Sequence, residues 1–182
     1  KFNKMKLQGK VAVVTGGARD IGRAVSVKLA SEGAKVVVNY FENESEANET
    51  VKLIENSGGE AIAVYADATN LEDISNLVKA TTAAFGAKVD VLVNVAGGLF
   101  ARKTIDAVDV DFYNLLMDVN FKSAVFVTQA FKPLMGKGAS VINFASQAAR
   151  DGGGPGASLY AASKGAVMTF TRAMAKEFGP DG

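Results

Sequence analysis

Five short runs of β-branched and other apolar residues, at positions 11–15, 35–39, 61–65, 89–94 and 140–144, alternate with segments of helical spacing at 21–32, 44–56, 71–85, 106–135 and 159–178. The runs are apolar at successive positions rather than at every second one. Strands made from them must therefore be buried on both faces, which is the condition inside a parallel sheet covered by helices on each side. Right-handed crossovers between neighbouring strands then predict an α/β fold, a Rossmann-like doubly wound parallel sheet with helices on both faces. Periodicity alone leaves the strand order, and other alternating α/β folds, open. Punctuation supports several boundaries. Thr69 and Glu72 read as a capping box ahead of Leu71, and Gly33, Gly58 and Gly86 follow helical patterns where a left-handed residue closes a helix.

The 182 residues fit one domain, 1–182, at about 150 residues per domain, without repeat or linker. The sequence does not begin with Met, and it ends on GPDG, a turn signal that ordinarily leads into another element. The expectation is a domain truncated at its C-terminus, with strands missing beyond 140–144. That strand would then be an open sheet edge with one face poorly covered.

Composition narrows the chemistry. With no His and no Cys, a Ser-His-Asp triad, a His or Cys metal site, a thiolate nucleophile and a disulfide are all excluded. Acid-base work near neutrality falls to Tyr, Lys, Asp or Glu. The balance of 20 basic and 19 acidic residues leaves a net charge of +1, with the basic residues scattered, so no nucleic-acid partner is expected. No apolar run approaches the roughly 20 residues that span a bilayer, and the opening KFNKMKLQGK has no apolar h-region. The expectation is a cytoplasmic protein without a membrane partner.

The first apolar run leads directly into Gly16, Gly17, Ala18, Arg19, Asp20, Ile21 and Gly22, and then into a helical segment. Glycines let the backbone approach a pyrophosphate, and the free N–H groups and dipole at the helix start hold its charge. A plain strand-to-helix turn is the alternative reading. Asp20 stands where a TGxxxGxG loop has its middle glycine. Asp tolerates a left-handed φ and caps helices well, so its carboxylate is expected to turn back onto the first N–H groups. A carboxylate at the end of the second strand would bond the ribose 2′-OH of NAD and repel the 2′-phosphate of NADP. Here that strand ends in Asn39, Tyr40 and Phe41, with no acid until Glu42, and Arg19 supplies a cation. NADP(H) is the expected cofactor, with NAD(H) possible.

Tyr160 and Lys164 lie four apart, so on a helix the phenol and the ammonium share a face one turn apart. Free Tyr titrates near pH ~10. Bringing it to neutrality takes about three units, or roughly 4 kcal/mol, which a Lys charge at ~4 Å supplies at an effective dielectric near 20. Such pairs also occur on many solvated helices. The small neighbours Ala161, Ala162, Gly165 and Ala166 leave room for a ligand, and Ser146 follows the last strand at the carboxyl edge, where open α/β sheets bind ligands.

These residues together resemble the short-chain dehydrogenase/reductase family, in its one-domain branch, over nearly the whole chain. TGGARDIG at 15–22 resembles the cofactor loop, with Asp20 as the departure, and NVAG at 94–97 resembles the motif after the fourth strand. Asn120 in VN, Ser146, and YAASK at 160–164 match the catalytic tetrad. The resemblance implies that Tyr160 donates its proton to the substrate carbonyl oxygen, Ser146 holds that oxygen, and Lys164 lowers the Tyr160 pKa and bonds the nicotinamide ribose. Asn120 would bind a water linking Lys164 to solvent, although a helix kink is its other reading. The cofactor-binding set is Gly16, Arg19, Asp20, Ile21, Gly22, Asn39, Asp67, Ala68, Asn94, Ala96 and Gly97, with Tyr160 and Lys164. Within it, Asp67 would bond adenine, while Asn94 and Gly97 would line a ribose. For Asp67 and Asn94 a turn-shaping or strand-ending role stays open.

The implied activity is hydride transfer between NADPH and a ketone or secondary alcohol, as in 3-oxoacyl-acyl-carrier-protein reductases. Sugar or other alcohol dehydrogenases using NAD, and a catalytically silent nucleotide-binding sensor, are the alternatives. Phe100, Arg102, Gln147, Arg150 and Asp151 are expected at the substrate pocket, with Arg150 facing water. Phe112, Leu116, Phe121, Phe126 and Phe131 exceed what one sheet face needs, so a homodimer or homotetramer surface is expected on the long helices.

Overall fold

The computed structural model describes residues 5–182. All five strands pair in parallel, in the order β3-β2-β1-β4-β5. They are β1 (Val11–Thr15), β2 (Lys35–Tyr40), β3 (Glu60–Tyr65), β4 (Val91–Asn94) and β5 (Ser140–Asn143), close to the predicted runs. In β1 the two faces separate by parity. Ala12 and Val14 pack with Val36, Val38, Ala47 and Ile54, while Val11 and Val13 pack with Val37, Leu77, Leu92 and Phe131. Burial on both faces is what continuous apolar runs require. The first face is covered by α1 (Asp20–Ser31) and α2 (Glu44–Asn56), and the second by α3 (Leu71–Phe85) and α5 (Ser123–Phe131).

Three expectations need correction. Helix α3 is capped by Asn70, whose Oδ1 accepts from the Glu72 and Asp73 amides at 2.9 and 3.2 Å, not by Thr69. Thr69 bonds Asp67 instead. The long helix expected over 106–135 is broken into α4 (Val110–Met117), a π-helical turn (Asp118–Lys122) and α5. Asp109 caps α4 by accepting from the Phe112 amide at 2.7 Å, and Pro133, which has no N–H to donate, lies in the 3₁₀ turn that follows α5. In the π turn the Val119 carbonyl is taken by Ser123 Oγ at 2.6 Å, which makes the wider winding affordable. Finally, Phe112, Leu116 and Phe131 are core residues, while Phe121 meets Phe170 edge-to-face at 5.9 Å. The exposed apolar residues of this region are Ile105, Val110, Tyr113 and Leu115.

The expected sheet edge is present: β5 ends the strand order, and Ile142 on it is 45% exposed. Among the described residues no helix is long and apolar enough to cross a membrane. The chain runs outward from β1 to β2 and β3, then returns to β4. The crevice between the carboxyl ends of β1 and β4, where the strand order reverses, is the ligand position of an open α/β sheet.

Candidate active site at the carboxyl edge of the sheet

The β1–α1 loop and the segment after β4 meet at that crevice. Gly16 has φ +62°, and a Cβ on it would lie 3.1 Å from the Ala96 backbone. The Ala96 amide donates to Thr15 Oγ1 at 3.3 Å across the same gap. Gly22 has no room for a side chain, because a Cβ there would clash with the Gly16 carbonyl oxygen. Asp20 adopts the expected positive φ, +48°, but its carboxylate does not cap the helix. It points outward, its Oδ2 3.7 Å from Arg19 Nη1. Whereas α2, α3 and α4 are capped by Asn43, Asn70 and Asp109, α1 begins without a side-chain cap, leaving its first N–H groups to an incoming anion. Ile21 is exposed beside them.

Asn39 and Asn94 are turned inward. The buried Asn39 carboxamide accepts from the Gly16 amide at 3.2 Å and donates to the Ala66 carbonyl at 3.0 Å, fastening the glycine loop to the ends of β2 and β3. Asn94 donates to Thr128 Oγ1 at 3.1 Å and Asn143 Oδ1 at 2.8 Å, holding β4 to α5 and β5. Both side chains are engaged in positioning the loop and the strand ends. At the end of β3, Asp67 Oδ1 accepts from the Thr69 amide and hydroxyl, each at 2.8 Å, and Ala68 is buried.

Helix α7 (Ser158–Phe178), which follows the short α6 (Ala148–Asp151), carries Tyr160 and Lys164. Lys164 is 5% exposed, and its Nζ donates to the Phe144 carbonyl at 2.8 Å, just beyond β5. Asn120, in the π turn, is also buried and clamps Gly98 from both sides: Oδ1 accepts from the Gly98 amide and Nδ2 donates to the Gly98 carbonyl, each at 2.9 Å. Between them lies Gly97, where a Cβ would sit 2.6 Å from Asn120 Oδ1 and 2.8 Å from Lys164 Nζ. The lack of a side chain there brings Asn120 and Lys164 to one cradle. Ser146 follows β5 on the same edge, its Oγ accepting from the Ala148 amide at 3.2 Å. Tyr160 is half-buried one turn before Lys164.

Two straps border this edge. Arg102 Nη1 donates to the Pro155 carbonyl at 3.0 Å and the Lys103 amide to the Gly156 carbonyl at 3.1 Å, tying the segment after β4 to the glycine-rich stretch ahead of α7. Arg102 is thus engaged with the loop, while Phe100, Gln147, Arg150 and Asp151 are exposed. On the other side Arg23 donates to the Ala18 and Glu46 carbonyls and to Thr50 Oγ1, linking α1, the glycine loop and α2. No motif at the sequence level singled out Arg23 or Thr50.

Burial lowers the Lys164 ammonium from its ordinary 10.5 to about 8. Between pH 8 and 10.5 the unfolded chain keeps a proton here that the folded chain has released, so stability rises with pH across that window, by up to about 3 kcal/mol. Urea midpoints measured from pH 7 to 10.5 are expected to climb for the parent protein relative to Lys164→Met. Parallel curves for the two would contradict the burial.

The sequence model of the short chain dehydrogenases matches residues 10–182. The chain belongs to the short-chain dehydrogenase family. A 3-oxoacyl-[acyl-carrier-protein] reductase of Synechocystis is 38% identical to this dehydrogenase over 179 residues, covering 97% of this chain and 71% of the relative. A Burkholderia cenocepacia short chain dehydrogenase, solved in complex with NADP, superposes with a TM-score of 0.92 at 36% identity, over 97% of this chain and 71% of that one. An NADH-dependent reductase solved with NAD gives 0.92 at 34% identity, over 97% and 76%. Among curated relatives the dehydrogenase spans 69%, 64% and 71% of the length of three that it matches. The family's nicotinamide dinucleotides fit the residues present, because the uncapped start of α1, the Gly16–Gly22 contact and the side-chain-free cradle at Gly97 all lie on one edge.

Proposed function

We propose that this dehydrogenase interconverts a ketone and a secondary alcohol with NADP(H), in the manner of a 3-oxoacyl reductase, with Tyr160 as general acid and base. The observation that carries the reading is the placement of Lys164: a buried ammonium, held on the Phe144 carbonyl beside Asn120 and Gly97, one helix turn from Tyr160. The dinucleotide, when bound, supplies the hydride. Gly16, Gly22 and the first N–H groups of α1 hold its pyrophosphate, Asp67 and Ala68 meet the adenine, and Ala96 and Gly97 border the nicotinamide ribose.

Tyr160 hands its hydroxyl proton to the substrate carbonyl oxygen, and Ser146 donates a hydrogen bond to the same oxygen as it gains charge. The Lys164 ammonium places a positive charge where the phenolate forms. Asn120 fixes Gly98 and so keeps the lysine's cradle from collapsing. Arg19, at the mouth of the adenosine site, gives NADP(H) the advantage over NAD(H) through its attraction for a 2′-phosphate. The exposed Ile105, Val110, Tyr113 and Leu115 around α4 support a homo-oligomeric assembly.

A ketone panel with NADPH, followed by the loss of nicotinamide absorbance, tests the reading. Turnover of at least one 3-oxoacyl or related ketone is expected. Tight dinucleotide binding without turnover on any member would turn the reading toward a nucleotide sensor.

A further inference from the structure

Arg19 does not face the adenosine site as a free cation. Its Nε lies 3.8 Å from Glu46 Oε2 and its Nη1 lies 3.7 Å from Asp20 Oδ2, so one guanidinium sits between two carboxylates. The position of Glu46 is built rather than incidental. Its amide is taken by the Asn43 cap at 3.2 Å, and its carbonyl accepts from Arg23 Nη2 at 3.2 Å. The same Arg23 donates through Nε to the Ala18 carbonyl at 3.1 Å, and the fully buried Thr50 donates to that carbonyl at 2.7 Å. Ala18 immediately precedes Arg19, so these bonds fix the first turn of α2 against the residue that aims the guanidinium.

We propose that Glu46 is a specificity-determining residue that holds down the preference for a 2′-phosphorylated dinucleotide by occupying Arg19 and repelling the phosphate. The inference rests on the dinucleotide reading given above and refines it. A 2′-phosphate has to displace two carboxylates from Arg19 and approach both of them, whereas a 2′-hydroxyl meets neither cost. The net charge of the trio is −1, so the pocket welcomes a phosphate only through the guanidinium's bidentate geometry. The protein therefore uses both dinucleotides, with NADPH ahead by a small factor.

Nicotinamide-fluorescence titrations of NADPH and NADH, with the parent, Glu46→Gln, Arg19→Gln and the double variant, test this. Glu46→Gln is nearly isosteric and is expected to tighten NADPH by about three- to tenfold while NADH changes by less than about twofold; the gain shrinks at high salt because the charges are exposed. Arg19→Gln is expected to weaken NADPH selectively, and in the double variant the Glu46 effect falls to less than half, as coupling between the two residues requires. An unchanged ratio of NADPH to NADH affinity in Glu46→Gln, or a Glu46 effect that survives in full without Arg19, overturns the proposal while leaving the dinucleotide reading intact. Failure of the parent to bind either dinucleotide overturns both.

Discussion

Tyr160→Phe is expected to lower the rate of ketone reduction by about 10³-fold while leaving NADPH affinity within about twofold of the parent. The substitution deletes one oxygen from a half-buried ring and no hydrogen bond to the rest of the fold, so α7, the Lys164–Phe144 bond and the Gly97 cradle stay in place. On the proposed mechanism, what is lost is the proton donor alone. Without it the carbonyl oxygen must take its proton from water, which is neither oriented by the helix nor placed one turn from a buried ammonium. Such a loss corresponds to about 4 kcal/mol in the barrier, a typical share for one positioned acid. Steady-state kinetics on the best ketone of the panel, with NADPH titration of the same preparation, checks the split. A variant retaining a tenth of the parent rate would remove Tyr160 from the role of general acid.

The parts of this dehydrogenase that were legible in its sequence are those fixed by local rules. Strand positions follow from the apolar runs: β1, β2 and β4 are buried on both faces and leave no polar alternation to misread, while β5 is read from the same kind of run although it lies half-exposed at the sheet edge. The αL conformation at Asp20 followed from its place in the loop and from the tolerance of Asp for positive φ. What its carboxylate does was not legible. Whether it caps α1 or faces Arg19 depends on where α2 lies, and α2 is positioned by Arg23 and Thr50 through bonds to main-chain carbonyls. Such contacts ask for a donor at the right place rather than a motif. The same holds for Asn39, whose carboxamide is claimed by the glycine loop and neighbouring strands, and for Asn94, whose Nδ2 is claimed by α5 and β5 while its buried Oδ1 has no partner among the described residues. The break at 118–122 is legible only as the helix-kink reading of Asn120, because its residues keep helical propensity; Ser123 meeting the freed Val119 carbonyl marks its place. Of the residues on α4 and α5 read as a partner surface, Phe112, Leu116 and Phe131 belong to the core, because periodicity shows which residues are apolar and not how many neighbours cover them.

Gly22→Ala is expected to be the most damaging single-methyl change in the chain. Its Cβ position lies far inside contact distance of the Gly16 carbonyl oxygen and 2.9 Å from the Gly17 Cα, all of it backbone, so no side-chain rotation relieves the clash. Relief requires the start of α1 to move away from the β1–α1 loop. That movement pulls Gly16 off Asn39 and Gly17 off the Asn39 carbonyl, bonds of 3.2 and 2.9 Å that anchor the loop to β2. Overpacking of this kind costs about 3 kcal/mol or more, against the roughly 1 kcal/mol by which Ala ordinarily improves on Gly in a helix. The sign is thus opposite to helix propensity, and the clash dominates. Two readouts should move together: a urea midpoint well below that of the parent, and NADPH binding weakened by at least about 100-fold even where the variant is still folded, because the N–H groups that would hold the pyrophosphate no longer converge. An Ala24→Gly change, two residues on and exposed in the same helix, serves as the comparison, expected to cost about 1 kcal/mol of stability without touching dinucleotide affinity. If Gly22→Ala binds NADPH like the parent, the glycine loop is not the pyrophosphate site, and the placement of the cofactor along this edge falls with it.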